Sequence, residues 1–153
     1  MPDRGDASTR QPIPADKLRV IQNACQTTDD KPRWLAALIS DTGMRLSEAA
    51  GLAREDIVLD ADIPHIIIRP HPWRRLKTKG SERTLPLVGA SLWAAKRAVE
   101  ASQHSPYLFP RYCNDEGCKA NSASAALNKW LKKTIGDGYV MHSFPHSMRD
   151  RLR

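Results

Sequence analysis

Thr42-Gly43-Met44-Arg45-Leu46-Ser47-Glu48-Ala49-Ala50-Gly51-Leu52 marks a corner in the chain. Gly43 lets the backbone turn tightly after one helix, and Arg45 emerges beside the next, with Ser47 and Glu48 in its first turn. The helix before the corner runs from Lys31 to Asp41, with Pro32 at its entry and Trp34, Leu35, Leu38 and Ile39 on a broad apolar face. A short helix follows over Leu46 to Leu52. Upstream, Leu18, Ile21, Ala24 and Cys25 recur at three-to-four spacing after Pro14, which describes another amphipathic helix. Residues 1–13 are polar, carry Pro2, Gly5 and Pro12, and read as a flexible leader.

Downstream of the corner the pattern turns extended. Ile57-Val58-Leu59, Ile63 to Ile68 and Glu82 to Leu87 predict three antiparallel strands, with Lys79-Gly80-Ser81 as a hairpin turn before the third. Helical spacing returns over Ser91 to Ser102 and Asn121 to Ile135, the latter ended by Gly136-Asp137-Gly138. Ser143, with Pro145 in the first turn, predicts a last helix running to Arg153. The expected fold class is α+β, mainly helical with a small three-stranded antiparallel sheet.

At 41% hydrophobic and 27% charged residues, 153 residues suffice for one folded domain and fit neither a disordered tail nor a fibrous repeat. No apolar run reaches a membrane span, and the Met1-Pro2-Asp3-Arg4-Gly5-Asp6 start lacks a signal peptide, so neither membrane insertion nor secretion is expected. Three cysteines are too few and too irregular for a disulfide scaffold, which fits a reducing cytoplasm. Charge is more informative. The net charge is +7, but residues 1–62 hold 8 basic and 11 acidic side chains while residues 63–153 hold 16 and 6. An asymmetry of that size points to a surface that meets a polyanion, with nucleic acid the first candidate.

Two further stretches add chemistry. Lys77-Thr78-Lys79-Gly80-Ser81-Glu82-Arg83-Thr84-Leu85-Pro86-Leu87 is a basic hairpin whose tip can enter a groove while its strands stay packed. His142-Ser143-Phe144-Pro145-His146-Ser147-Met148-Arg149-Asp150-Arg151-Leu152-Arg153 closes the chain with two histidines and a basic helix. Together with the Thr42–Leu52 corner, and in the same order, these stretches resemble the catalytic domain of the tyrosine recombinase or phage integrase family. Ser105-Pro106-Tyr107-Leu108-Phe109-Pro110 also resembles the family's short extended stretch before its next helix, a packing element in which Tyr107 is a core or boundary aromatic. The resemblance covers about residues 14–153, read as a partial catalytic domain.

The resemblance implies that Arg45 grips the scissile phosphate and that Lys77, or alternatively Lys79, protonates the departing 5′ oxygen. His142 and His146 would assist proton transfer and phosphate contact. The family's box reads H-x-x-R-H; aligning His142 and His146 with its histidines puts Pro145 at the second arginine's place. The other register pairs His146 with Arg149 but puts Asp150 where the second histidine belongs. Proline is tolerated in a first helical turn, yet it donates nothing, and losing one preorganised donor costs about 2.7 to 4 kcal/mol of transition-state stabilisation. Arg149 is displaced by one helical turn, about 5 Å. The family's nucleophilic tyrosine lies downstream of this box, whereas Tyr107, Tyr112 and Tyr139 all lie upstream. An unactivated phenol does not substitute.

The expectation is therefore a site-specific recombination and integration domain that binds double-stranded DNA, in company with other recombinase subunits, and is catalytically incompetent alone. The alternative is a non-catalytic DNA-binding remnant. A third reading, a nuclease using His142 or His146 as general base, lacks the carboxylate cluster of a metal-dependent enzyme. Arg69, Arg74, Arg75, Lys79 and Arg83 are the candidate DNA contacts. No cofactor and no metal are expected: Cys113 and Cys118 flank what reads as a surface loop without a second ligand pair, and His65, His71 and His104 are scattered. Trp34, Trp93 and Trp130 read as core, while Trp73, among cations, is a candidate either for stacking on DNA or for covering a sheet edge. The implied setting is cytoplasmic and nucleoid-associated, bacterial or phage-derived.

Overall fold

The computed structural model describes residues 13–76, 82–141, 143 and 144. Helix α1 spans Ala15–Thr28 and buries Leu18, Ile21 and Cys25, one stripe three to four residues apart. It ends on Asp29, whose left-handed backbone (φ 51°) is held by its side chain: the carboxylate accepts from Trp34 Nε1 at 2.7 Å and from Arg97 at 2.9 and 3.1 Å. Helix α2, Lys31–Thr42, starts at Asp30, which caps the Arg33 N–H at 3.0 Å, with a proline in its first turn.

Every residue from Trp34 to Ser40 is buried, so α2 is the central helix of the core. Its main partner is α4 (Gly89–Ala101), which turns Ala90, Ala94, Ala95 and Ala98 inward and so lets the two backbones come close. Between them lie α3 (Leu46–Ala50), a single 3₁₀ turn at Arg54–Asp56, and the sheet. Helix α5, Ala120–Ile135, buries Ala123, Leu127, Leu131 and Ile135 against the other helices. Ile13, on the leader side of the expected boundary at Pro14, is buried in the same core. Met141 and Phe144 are also buried; Met141 N–H donates to Asn128 Oδ1 at 2.7 Å, which docks the start of the last segment on α5. The remainder of the expected helix from Ser143 to Arg153 lies outside the described residues.

Strands β1 (Ile57–Val58), β2 (His65–Ile68) and β3 (Arg83–Pro86) form the expected antiparallel sheet in the order β1-β2-β3. Ile66 and Ile68 face the core while His65 and Ile67 are half-buried. Register then decides what β3 presents: Leu85 stands opposite Ile66 and Arg83 opposite Ile68, so a guanidinium lies on the inward face. Between β2 and the described start of β3, His71 and Arg74 exchange backbone hydrogen bonds of 3.0 and 3.1 Å around Pro72-Trp73, a tight turn that periodicity does not reveal.

The segment around Cys113 and Cys118 differs from the surface loop read in the sequence. Cys113–Asn114 (β4) and Gly117–Cys118 (β5) pair as a two-stranded hairpin that sets the cysteines directly opposite, and they are joined as a disulfide. Two cysteines five apart across a four-residue turn need no larger scaffold to meet. The third cysteine, Cys25, is buried, and burial pushes its thiol up to about 12.

Two measurements follow. Gly51→Ala places a Cβ at 2.5 Å from Arg74 Cγ and 2.9 Å from its Cβ. Arg74 is buried and anchored at its far end, so the clash is not relieved by a swing of the side chain, and a loss of about 1–3 kcal/mol in denaturant unfolding is expected. Reducing the cystine opens a six-residue loop, worth about 2 kcal/mol by chain entropy. For a chain of this size that is a drop of about 4–8 °C in Tm, measured by thermal melts with and without dithiothreitol.

Candidate functional site

Arg45 occupies the N-cap of α3 in extended conformation (φ −71°, ψ 149°). Met44 and Leu46 on either side are buried, and side chains of extended backbone alternate, so the Arg45 side chain is directed to solvent, where it is exposed. The turn before it is locked. Gly43 sits at φ 71° and donates its N–H to Ile39 O at 2.8 Å, while Thr42 Oγ1 donates to Leu38 O at 2.8 Å and accepts from Met44 N–H at 3.3 Å.

Three residues on, the Glu48 carboxylate is buried beneath this corner. Its Oε1 accepts the Arg45 backbone N–H at 2.9 Å, the reach-back half of a capping box. From β3, Arg83 then meets it with both terminal nitrogens, Nη1 to Oε2 at 2.9 Å and Nη2 to Oε1 at 3.0 Å. Burial alone would raise the carboxyl's pKa, but the Arg83 hydrogen bonds, the Arg45 N–H and both guanidinium charges outweigh it and hold Glu48 below the ordinary carboxylate value. A second arginine grips the same residue from its backbone side: Arg74 donates Nη1 to Glu48 O at 2.9 Å and Nη2 to Arg69 O at 2.8 Å.

A second buried carboxylate, Asp56, anchors the other end of the hairpin base. It accepts from Ala53 N–H at 3.0 Å, from Arg69 Nε at 2.7 Å, and stands 2.7 Å from His71 Nε2. His71 stacks on Trp73 with centroids 4.4 Å apart and planes 5° from parallel. Trp73 in turn donates Nε1 to Gly51 O at 2.9 Å and meets Tyr107 edge-on at 5.0 Å.

These contacts correct several expectations. Arg74, expected as a DNA contact, is instead 6% exposed, and its two terminal nitrogens are spent on backbone carbonyls. Arg75, next along the chain, is exposed. Arg69 and Arg83 keep side-chain exposures of 41% and 35% but are ion-paired to Asp56 and Glu48. Of the two readings of Trp73, the contacts favour packing: His71 stacks on its ring and Gly51 O accepts its N–H. His71 is likewise a half-buried partner of Asp56 and not a scattered surface histidine. Tyr107 is buried, as expected of a packing aromatic. Lys77, Lys79, His142, Pro145, His146 and Arg149 lie outside the described residues. Among the described residues no group of three or more His, Cys, Asp or Glu side chains could hold a metal ion, and no helix is long and apolar enough to cross a membrane.

Arg74, Glu48 and Asp56 are the structural residues that periodicity passes over. The legible signal was an acid three residues after Arg45, at capping-box spacing and followed by Ala49-Ala50, which is a place where a carboxylate must find a buried partner.

The fold is a mainly helical core with a three-stranded antiparallel sheet, whose Arg83 is tied through Glu48 to the corner that carries the exposed Arg45. More narrowly, residues 12–152 match the model of the phage integrase family, and the chain belongs to that family. No curated protein sequence matches it. Among solved structures it is similar to the XerH site-specific recombinase bound to difH substrate in a pre-cleavage complex, with TM-score 0.64 and 19% identity over 93% of this chain and 42% of that one. The post-cleavage complex of XerH with palindromic difH gives TM-score 0.64 at 20% identity over the same shares. The Tn1549 transposon integrase in complex with circular intermediate DNA gives 0.58 at 18% identity, over 94% of this chain and 54% of that one. At these identities the likeness is one of fold, and the chain spans about half the length of these relatives or less.

Glu48→Gln tests the clamp. Because the folded carboxyl is depressed, its contribution is present above the ordinary value near pH 4.3 and lost as pH falls through the folded value. The variant should lose about 1.5–3 kcal/mol at pH 7. Its deficit against the parent should close as pH is lowered below about 4, read from urea unfolding at successive pH values.

Proposed function

We propose that this chain forms part of the catalytic domain of a site-specific DNA recombinase and that it holds duplex DNA. The domain would occupy residues 14–153 with its packed start at Ile13, after a leader that ends near residue 13. The observation that carries the reading is Arg45, exposed on a corner whose backbone is fixed by a buried, doubly clamped glutamate. A phosphate oxygen is the partner such a guanidinium suits, since a preorganised donor loses no reorganisation energy when charge develops on it. In the family's reaction, strand exchange through a 3′-phosphotyrosyl intermediate, Arg45 stabilises phosphate charge. Lys77 or Lys79 protonates the departing 5′ oxygen, and His142 and His146 assist. Arg75 and the hairpin lysines extend the cationic surface. Other recombinase subunits on the same DNA are the fitting protein partners, and a bacterial or phage setting with access to the nucleoid is the fitting location.

These 153 residues are read as binding without cleaving. Tyr107 donates its hydroxyl to Asp115 Oδ1 at 2.6 Å, and that bond together with burial raises its pKa, the reverse of what a nucleophile needs. Tyr112 is buried and raised for that reason first. Tyr139 packs beneath Lys17 Nζ, 5.1 Å from its ring centroid.

Two outcomes are expected. Fluorescence anisotropy on a duplex oligonucleotide should give a log affinity that falls linearly with log salt, with a slope of about −3.6 to −5.4 for four to six phosphate contacts. Nicked suicide duplexes should yield no covalent protein–DNA adduct on denaturing gels. A salt-independent affinity would contradict the phosphate reading, and an adduct would contradict the assignment of the three tyrosines.

A further inference from the structure

We propose that Arg83 is a positioning residue that acts through Arg45, coupling the basic hairpin to the phosphate-gripping corner, rather than a contact to DNA in its own right. This rests on the proposed role of Arg45. The connection between β2 and β3 sends an arginine from each of its described sides to the same residue of the corner: Arg74, in the turn after β2, holds the Glu48 carbonyl, and Arg83, at the start of β3, holds the Glu48 carboxylate with two hydrogen bonds. Glu48 Oε1 is shared between Arg83 Nη2 and the Arg45 backbone N–H, so one oxygen links β3 directly to the residue that carries the exposed guanidinium.

Several features make this a built joint. The Glu48 side chain is 4% exposed, so its charge cannot be left without a cation. Arg83 is brought inward by register, opposite buried Ile68. Arg74 reaches the Glu48 carbonyl only because Gly51 has no side chain in its path. Displacing the hairpin therefore pulls on the N-cap of α3, and moving α3 pulls on the hairpin.

The test uses the full chain, a fixed duplex oligonucleotide and salt titrations of affinity for the parent, Arg45→Ala, Arg83→Lys, Arg83→Gln, and the Arg45→Ala/Arg83→Lys double variant. A lysine retains the charge but cannot make the planar two-point contact. If Arg83 positions Arg45, Arg83→Lys weakens binding about as much as Arg45→Ala, on the order of fivefold near 0.15 M salt, and the double variant is no weaker than Arg45→Ala alone. Glu48→Gln should show the same lack of additivity with Arg45→Ala, which keeps the test open if one arginine variant folds poorly. Four results overturn the proposal. Losses that add in the double variant, or affinity kept at the parent level by Arg83→Lys but lost in Arg83→Gln, make Arg83 a charge contact to DNA. A fall in Tm with unchanged affinity makes it a structural residue only. Unchanged affinity in Arg45→Ala removes the residue through which Arg83 is said to act. A parent chain that does not bind duplex DNA fails the functional reading itself, and is recognised before any variant is compared.

Discussion

A carboxylate taken out of water must be met by cations and donors, and Glu48 imposes that requirement at the centre of this molecule. Its burial is unfavourable by several kcal/mol unless every lone pair is used. The chain meets the requirement by bringing Arg83 from β3 and the Arg45 N–H from the start of Glu48's own helix, while Arg74 holds the backbone carbonyl of the same residue. Much else is subordinate to this. Gly51 lacks a side chain because Arg74 passes there, β3 runs in the register that turns Arg83 inward, and Gly43 makes the turn that sets Arg45 at the N-cap. A buried ion pair of this kind is a poor source of net stability compared with apolar packing, but it fixes one arrangement among many. Arrangement is what the phosphate-gripping role proposed for Arg45 needs.

The apolar skeleton was legible because burial leaves periodic traces. The stripe Leu18, Ile21, Cys25, the face of α2, and Ile66 and Ile68 of the second β-branched run each follow from one-sided contact with a core, and the structure places them there, whereas residues 57–59 are half-buried and Ile63 is exposed. The Thr42–Leu52 corner was legible for another reason: Gly43, Arg45 and Glu48 occupy positions whose backbone and capping demands narrow the choice of residue. Sequence reading went astray where the same residue type serves two ends. Arg74 and Arg75 are adjacent and chemically identical, and alternation sends one inward and one outward. Trp73 among cations leaves stacking on DNA and packing both open until His71 is found against its ring. The Cys113–Cys118 pair gave no periodic signal at all, since a four-residue turn that aligns two cysteines is set by local backbone geometry.

The cationic half of the chain also has a more specific meaning than its net charge suggested. Part of it is internal: Arg69, Arg74 and Arg83 neutralise Asp56 and Glu48 or satisfy carbonyls, and that charge mostly stays within the fold. The rest of that half includes the exposed Arg75, and the exposed Arg45 joins it from the first half of the chain. Family membership and the fold shared with DNA-bound recombinases give this set its proposed partner. The clamp explains why the set would act as one surface.

If the Arg45 corner and the Arg74 and Arg83 flanks form a single rigid unit facing DNA, they respond to it together. In a titration of the isotope-labelled chain with duplex oligonucleotide, followed by backbone and arginine side-chain NMR resonances, Thr42 to Ser47 and the flanks at Leu76 and Glu82 should shift with one apparent Kd, while the Arg74 guanidinium stays in slow exchange with solvent. Shifts confined to α1 or α4 with residues 42–47 unmoved, or a corner and hairpin that respond with separate affinities, would contradict it.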